Sequence, residues 1–220
     1  MTSAPPPVVT IAALYGAGGT VVGPRVAERL GVPYLDREIP EAVAKRMGLS
    51  EQAVADVDEE ERSGVQRLVS SLGRAATISG AVGGSSEHLD VQERTIRGHI
   101  EEQLAKAAVS GGVALGRGGM VVLRSVPQAL HVHLGGPAEA RIQQRMALDG
   151  IDHATARRRR ELIDRTRMRY VRSAYGVDGE DPSLYHLMLD STVIDLDACV
   201  DLIVAAGQAR TRKPRPSPPT

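Results

Sequence analysis

The chain has no phenylalanine and no tryptophan, and its five tyrosines are the only aromatic residues among 220. Proteins that bind single-stranded nucleic acid stack bases on aromatic side chains, and this composition offers few such platforms. Lysine and arginine number 27 together, as do aspartate and glutamate, so the net charge is zero. Without net charge the chain has no overall attraction to nucleic acid or to an anionic membrane. Any cationic function must therefore be local.

Cysteine and long apolar runs are also scarce. Cys199 is the only cysteine, which excludes an intramolecular disulfide and fits a reducing compartment, so we expect a cytoplasmic protein. No apolar run reaches the roughly 18 residues that a membrane-spanning helix needs, and the first residues lack the pattern of a secretion signal. The sequence predicts no membrane partner.

The length and the hydrophobic content of 42% suffice for one substantial core, and we expect a single domain over residues 8–208. Residues 1–7 and 209–220 are rich in proline. Prolines that alternate with polar residues cannot form a helix or a sheet. We therefore expect both ends to be disordered tails.

The most informative segment is 11–36, which predicts a strand, a glycine turn, a helix and a second strand. Gly16, Gly18 and Gly19 end the first strand. Glycines allow positive φ angles and let backbone N–H groups converge on an anion at a helix start. We predict a phosphate site, although a tight turn alone would need one or two glycines. The spacing does not fit the dinucleotide fingerprint G-x-G-x-x-G, which favours a mononucleotide.

Two polar residues follow predicted strands. Arg117 stands among glycines after an apolar strand, where open α/β sheets bind ligands, and its guanidinium suits a phosphate. It could instead pair with a structural carboxylate such as Asp36. Asp36 precedes a predicted helix, so it either orients an acceptor, a water or a metal, or caps that helix.

Alternating strands and helices predict a parallel five-stranded sheet. The strands are predicted at 8–14, 32–35, 113–115, 129–134 and 192–195. His131 and His133 share one face of the fourth strand, a spacing that can hold a metal. No cysteine or carboxylate in that strand completes such a site, so we predict ordinary strand histidines and no metal.

Arginine is concentrated in the segment 154–175, which carries eight, and Arg141 and Arg145 stand four residues apart just before it. Eight arginines are too many to occupy one face of a helix, so several of them must be exposed to solvent. Arg141 and Arg145 can converge on one anion. RNA binding is a competing interpretation, but compensating acids and the lack of interleaved aromatic residues argue against it.

Three motifs, at 16–23 (GAGGTVVG), 34–39 (YLDREI) and 114–119 (ALGRGG), together resemble the cytidylate-kinase-like family of P-loop nucleoside monophosphate kinase relatives. The resemblance extends over about residues 8–207. It implies a three-layer α/β P-loop kinase fold, with a parallel five-stranded sheet, helices on both faces and a helical lid. It also implies ATP and Mg²⁺ as cofactors, and a nucleotide or another small molecule as substrate.

The resemblance assigns roles to individual residues. It implies that Arg117 contacts the acceptor monophosphate; Asp36, placed near the acceptor by its position after a strand, joins Arg117 among the catalytic candidates. The cofactor-binding loop it implies is Gly16, Ala17, Gly18, Gly19, Thr20 and Val21. It implies a catalytic role in the lid for Arg141, Arg145, Arg165 and Arg167, with Asp164 orienting the lid arginines. The glycine- and serine-rich stretch 80–86 matches the insertion that closes over the acceptor, unless it is only a loop.

The loop departs from the P-loop pattern, in which a lysine reaches the phosphates and a hydroxyl holds Mg²⁺. Beside the GAGKGT of true cytidylate kinases, Gly19 stands at the lysine and Val21 at the hydroxyl residue. Losing one preorganised group of this kind typically costs about 10²–10³ in rate.

Two functions therefore stay open: a slow kinase for CMP or dCMP that relies on arginines, and a noncatalytic nucleotide sensor or partner-binding module. A kinase for an unrelated small molecule is a third. The sequence also leaves a homo-oligomer open.

Overall fold

A five-stranded, fully parallel sheet in the order β2-β3-β1-β4-β5 organises the protein. A computed structural model describes residues 4–35 and 86–212. The strands are β1 Val8–Ala13, β2 Tyr34–Leu35, β3 Gly112–Leu115, β4 Ala129–Gly135 and β5 Leu187–Asp190. The helices are α1 Gly19–Leu30, α2 Ser86–Ser110, α3 Gly119–Val122, α4 Ala138–Asp149, α5 His153–Tyr175 and α6 Leu196–Thr211, with a 3₁₀ turn at Pro182–Leu184.

Successive residues of β1 point to opposite faces of the sheet, so its apolar side chains need cover on both faces. Helices provide that cover. Val9 and Ile11 pack in the core cluster that contains the buried faces of α1 and α6. Val8 faces the other way, into a cluster with Leu104 of α2 and with Leu123 after α3. Both sides of the central strands are buried, as the continuous apolar runs predicted. The predicted three-layer α/β fold is confirmed.

The prediction of a fifth strand at 192–195 was wrong. The strand lies five residues earlier, at Leu187–Asp190, and the predicted segment is a turn. Asp190 Oδ1 accepts hydrogen bonds from the backbone N of Thr192 at 3.0 Å and from its hydroxyl at 2.6 Å, which turns the chain. Asp195 then accepts from the backbone N of Ala198 at 2.7 Å and caps α6. Val193 is left 81% exposed, unlike a residue in a buried strand.

Several other boundaries differ by a few residues. The sequence predicts that the first helix begins at Val22, but α1 begins at Gly19, because the left-handed Gly18 ends the turn directly before it. Helix α6 continues to Thr211 beyond the predicted end at 208. The sequence did not predict α3, which is one turn long. Among the described residues, no helix is long and apolar enough to cross a membrane.

Some predictions fall outside the described residues. These are the role of Asp36, the loop 80–86 apart from Ser86 at the start of α2, and the end of the C-terminal tail after residue 212.

Candidate functional site

The glycine loop joins β1 to α1 at the carboxyl edge of the sheet. Gly16 and Gly18 adopt left-handed conformations, with φ angles of 79° and 71°, which favour glycine. The backbone N of Ala17 donates to the carbonyl of Leu14 at 3.1 Å and closes the turn. Gly19 is the first residue of α1, and its φ is not positive.

Packing against two helices explains the same two glycines. A Cβ on Gly16 would lie 2.2 Å from the carbonyl oxygen of Arg141, and one on Gly18 would lie 2.5 Å from the Leu196 side chain. Both positions therefore require glycine for the loop's own geometry. Their presence alone does not distinguish a phosphate site from a turn, whereas the groups around the loop can.

The loop lies beside a shallow cavity of about 230 Å³, open mouth included, which we call the loop cavity. It is lined by Leu14, Tyr15, Gly16, Gly18, Gly19, Thr20, Arg145 and Arg167. The backbone N atoms of Val21 and Val22 both donate to the Gly18 carbonyl, so the N–H groups of Gly19 and Thr20 precede the first helical bonds. These groups lie at the positive end of the helix dipole, where an anion is favoured.

Four of the six predicted cofactor-binding residues line this cavity, and two do not. Ala17 is fully buried in the core cluster below the loop. The Val21 side chain is partly buried and lies outside the set of residues that line the loop cavity.

A buried ion pair holds the loop from below. Arg141 Nη1 lies 2.9 Å from Asp164 Oδ2 and also donates to the Tyr15 carbonyl at 2.6 Å. The other oxygen of Asp164 accepts from the backbone N of Tyr15 at 2.8 Å. Arg141 Nε donates to the Gly136 carbonyl at 3.0 Å. The pair thus fixes both backbone polar groups of Tyr15, and Arg141 lies under the loop instead of in a cavity.

The other predicted arginines of this region occupy three different environments. Arg145 lines the loop cavity, stands 5.5 Å above the Tyr15 ring and forms an ion pair with Asp149. Arg167 of α5 also lines this cavity, and its Nη1 donates to the Ala13 carbonyl at 3.2 Å. Arg165 is exposed and, in the described part of the chain, lies outside both cavities of this edge.

A second, larger cavity of about 650 Å³, open mouth included, lies where β1 and β3 end; we call it the strand-end cavity. Arg117 and Arg167 provide positive charge, and Glu180 provides a carboxylate. Much of the remaining wall is apolar or aromatic: Leu14, Met120, Met168, Val171 and Tyr185, together with the ring of His133. Arg167 is the cation that lines both cavities among the described residues.

Arg117 sits at the end of β3 in an unusual conformation. Its φ is 61°, between Gly116 at 71° and Gly118 at 65°. A left-handed residue with a side chain costs on the order of 1 kcal/mol and needs support from its surroundings. Arg117 Nη1 donates to the side-chain carbonyl of Gln103 on α2, and its own carbonyl accepts from the Tyr175 hydroxyl of α5 at 3.2 Å. Helix α2 therefore holds the guanidinium at the cavity, and α5 holds the backbone of Arg117.

Sequence reasoning did not identify several residues of the site. Gln103 fixes Arg117, and Gln144 donates from Nε2 to the Gly16 carbonyl at 2.9 Å. Tyr15 lines the loop cavity beneath Arg145, and burial raises the pKa of its phenol. His133 was predicted as an ordinary strand histidine, yet it lines the strand-end cavity. The spacing of His131 and His133 on one face of the strand was the available signal for a site. It did not indicate which of the two histidines reaches the cavity.

The sequence profile of the cytidylate kinase-like family matches residues 8–193. The chain belongs to this family. It is 26% identical over 200 residues to a cytidylate kinase from Methanopyrus kandleri, and the match covers 90% of this chain and 92% of that protein. The family prediction is confirmed.

One solved structure supports the fold. An uncharacterized protein from Eubacterium ventriosum has a TM-score of 0.61 at 15% identity, with 92% of this chain and 98% of that one covered. A gluconokinase from Sinorhizobium meliloti has a TM-score of 0.43 at 13% identity and covers 94% of this chain and 91% of its own.

For a cytidylate kinase-like protein, the side chains of this loop are poor in polar groups. Gly19 has no side chain, and Val21 brings no oxygen to the cavity. Thr20 supplies a hydroxyl one position earlier. The described residues contain no group of three or more histidine, cysteine or acidic side chains that could hold a metal. The donor set suits phosphate oxygens far better than it suits Mg²⁺.

Proposed function

We propose that this protein transfers the γ-phosphoryl group of ATP to a nucleoside monophosphate, CMP or dCMP. The observation that carries the proposal is the position of Arg167, which lines both the loop cavity and the strand-end cavity. A phosphoryl group that passes from a donor in one cavity to an acceptor in the other would travel past this guanidinium.

The two cavities suit the two partners of such a transfer. The N–H groups of Gly19 and Thr20, the helix dipole and Arg145 favour the ATP phosphates in the loop cavity. Arg117 offers the acceptor phosphate a planar pair of donors in the strand-end cavity. Phosphoryl transfer depends chiefly on positioning and charge stabilisation, and Arg167 is placed to supply the second.

Mg²⁺ would enter bound to the phosphates of ATP, since the described side chains bring few oxygens to the loop cavity. A metal bound in this way neutralises charge on the β- and γ-phosphates. The protein's own residues orient the nucleotide. Without a lysine at Gly19 we expect turnover to be slow.

The alternative is a noncatalytic nucleotide-binding sensor or partner-binding module. It is favoured by the chemistry of the loop, where Gly19 and Val21 lack the side chains that act in P-loop kinases. The ion pair of Arg145 with Asp149 also offsets part of the positive charge at the loop cavity.

A coupled assay with ATP, Mg²⁺ and a panel of nucleoside monophosphates distinguishes the two. We expect slow turnover with CMP or dCMP, and Arg167→Ala should lower kcat by about 10²–10³ while the Kd values of ATP and CMP change little. Arg165→Ala, an exposed arginine on the same helix, is the matched control and should keep parental kcat. ATP binding without turnover on any acceptor would favour the sensor.

A further inference from the structure

His133 is a buried imidazole at the wall of the strand-end cavity. It is 8% exposed and packs against the Tyr185 ring, with centroids 5.0 Å apart in an edge-to-face arrangement. Gly135 leaves room for it, because a Cβ there would lie 3.0 Å from its Cε1. Among the residues that the structure describes, neither ring nitrogen of His133 makes a hydrogen bond.

The neighbouring histidine on the same strand is bound differently. His131 Nδ1 lies 2.8 Å from the Thr10 hydroxyl, and its ring stacks on His186 at a centroid distance of 4.8 Å. His131 does not line the strand-end cavity. Buried polar groups are nearly always satisfied by a protein group, a water or a ligand. Within the described ranges, His131 Nε2 is also a buried nitrogen without a hydrogen-bond partner, but only His133 lies at the cavity wall, where a ligand could bond to its ring.

The charge of His133 is set by its surroundings. Burial lowers its pKa, the nearby cation Arg141 lowers it further, and the carboxylate of Asp164 acts in the opposite direction. Near neutral pH the ring is uncharged, so it presents one N–H donor and one lone pair. Such a group suits a neutral partner that hydrogen-bonds, whereas an ammonium or a carboxylate would be poorly matched in a buried place.

Other groups in the cavity indicate the rest of the ligand. Arg117 and Arg167 favour an anionic part, and Met120 and Met168 provide apolar surface beside it. A nucleoside monophosphate combines these features, because it joins a phosphate to a body that carries uncharged hydroxyl, carbonyl and amino groups.

We propose that His133 is a specificity-determining residue that hydrogen-bonds an uncharged polar group of the nucleoside part of the acceptor. This inference rests on the proposed function, since it requires the acceptor in the strand-end cavity. It assigns to this strand a direct contact with substrate, separate from the phosphate contacts of the arginines.

Calorimetric titration with CMP and with ATP tests the inference. His133→Leu, which keeps the volume and removes both nitrogens, should raise the Kd of CMP at least about tenfold and change that of ATP by less than about twofold. His133→Gln or His133→Asn should restore most of the CMP affinity by returning a neutral hydrogen-bonding group. His131→Gln is the matched control on the same strand and should leave the CMP affinity unchanged.

A second measurement uses the parent protein and does not depend on how a variant folds. The imidazole NMR signals of His133 should shift on addition of CMP and stay in place on addition of ATP. If the parent binds and phosphorylates CMP but His133→Leu binds it equally, or the signals do not move, this inference is wrong and the kinase proposal stands. If the parent binds no nucleoside monophosphate, both fail together.

Discussion

The glycines of the loop differ in what each of them can reveal. Gly16 and Gly18 have positive φ angles and stand against the Arg141 backbone and the Leu196 side chain. A side chain at either position would disturb the fold before it tested phosphate binding. Gly19 begins α1 without a positive φ, so a side chain there does not require a left-handed backbone. Gly19 is buried, so a side chain there must extend into the loop cavity that it lines.

We predict that Gly19→Lys raises kcat for CMP phosphorylation about tenfold or more. An ammonium at the first residue of α1 would add the charge that stabilises the transferring phosphoryl group in related kinases. Gly19→Met, of similar length without charge, is the control, and the coupled assay measures both. Equal kcat values for the two variants would show that the missing lysine does not limit turnover.

At the scale of elements, the three inner strands were easier to predict than the edge strand β5. β1, β3 and β4 are covered on both faces, and their apolar runs predicted them to within one residue. β5 lies at the edge of the sheet, and its Met188 is 46% exposed. Its sequence therefore signals a strand more weakly than the β-branched residues of the turn that follows it. The contacts of Gln103 with Arg117 and of Gln144 with the loop join distant elements, which local patterns cannot reveal.

Helices α4 and α5 fix the backbone of the loop through the Arg141–Asp164 ion pair. We predict that Asp164→Asn lowers the free energy of unfolding by about 3–5 kcal/mol, because Arg141 would remain buried without its countercharge. Urea unfolding measures this. Asp197→Asn, which removes the exposed pair of α6 with Arg25, is the matched control and should have no measurable effect. An Asp164→Asn protein as stable as the parent would mean that the backbone carbonyls alone satisfy Arg141.

At the scale of the whole molecule, a chain without net charge brings three arginines to one edge of its sheet. Arg117 follows β3, Arg145 belongs to α4 and Arg167 to α5, and all three reach the carboxyl edge of the sheet. Open α/β sheets bind ligands at this edge. Composition predicts that any cationic function is local, and the topology places these three arginines close enough together to provide one. The sequence identifies these arginines as candidate site residues. The order of the strands determines which of them lie close together.

The buried His131 lies where four elements of the fold meet, and its contacts lead to a prediction about pH. His131 of β4 bonds to Thr10 of β1 and stacks on His186 beside β5, while Arg210 of α6 donates to the Ala129 carbonyl at 3.2 Å. The backbone N of His131 also donates to His186 Nδ1 at 3.0 Å, which requires that nitrogen to be unprotonated. Burial, with further contributions from His186 and Arg210, lowers the pKa of His131 to about 4.

We predict that the free energy of unfolding falls as the pH drops from 6.5 to 4.5. In this pH window His131 is protonated in the unfolded chain but stays neutral in the folded chain, so acid favours unfolding. The pKa difference corresponds to about 2–3 kcal/mol lost by pH 4.5, and His133 and His186, whose pKa values are also lowered, act in the same direction. Urea unfolding at intervals of half a pH unit measures the slope. His131→Gln, which cannot titrate, should reduce the slope clearly, whereas Cys199→Ser changes a buried residue without titrating in this range and should keep the parental slope. If His131→Gln keeps the full slope, other groups are responsible and His131 is not what couples this fold to pH.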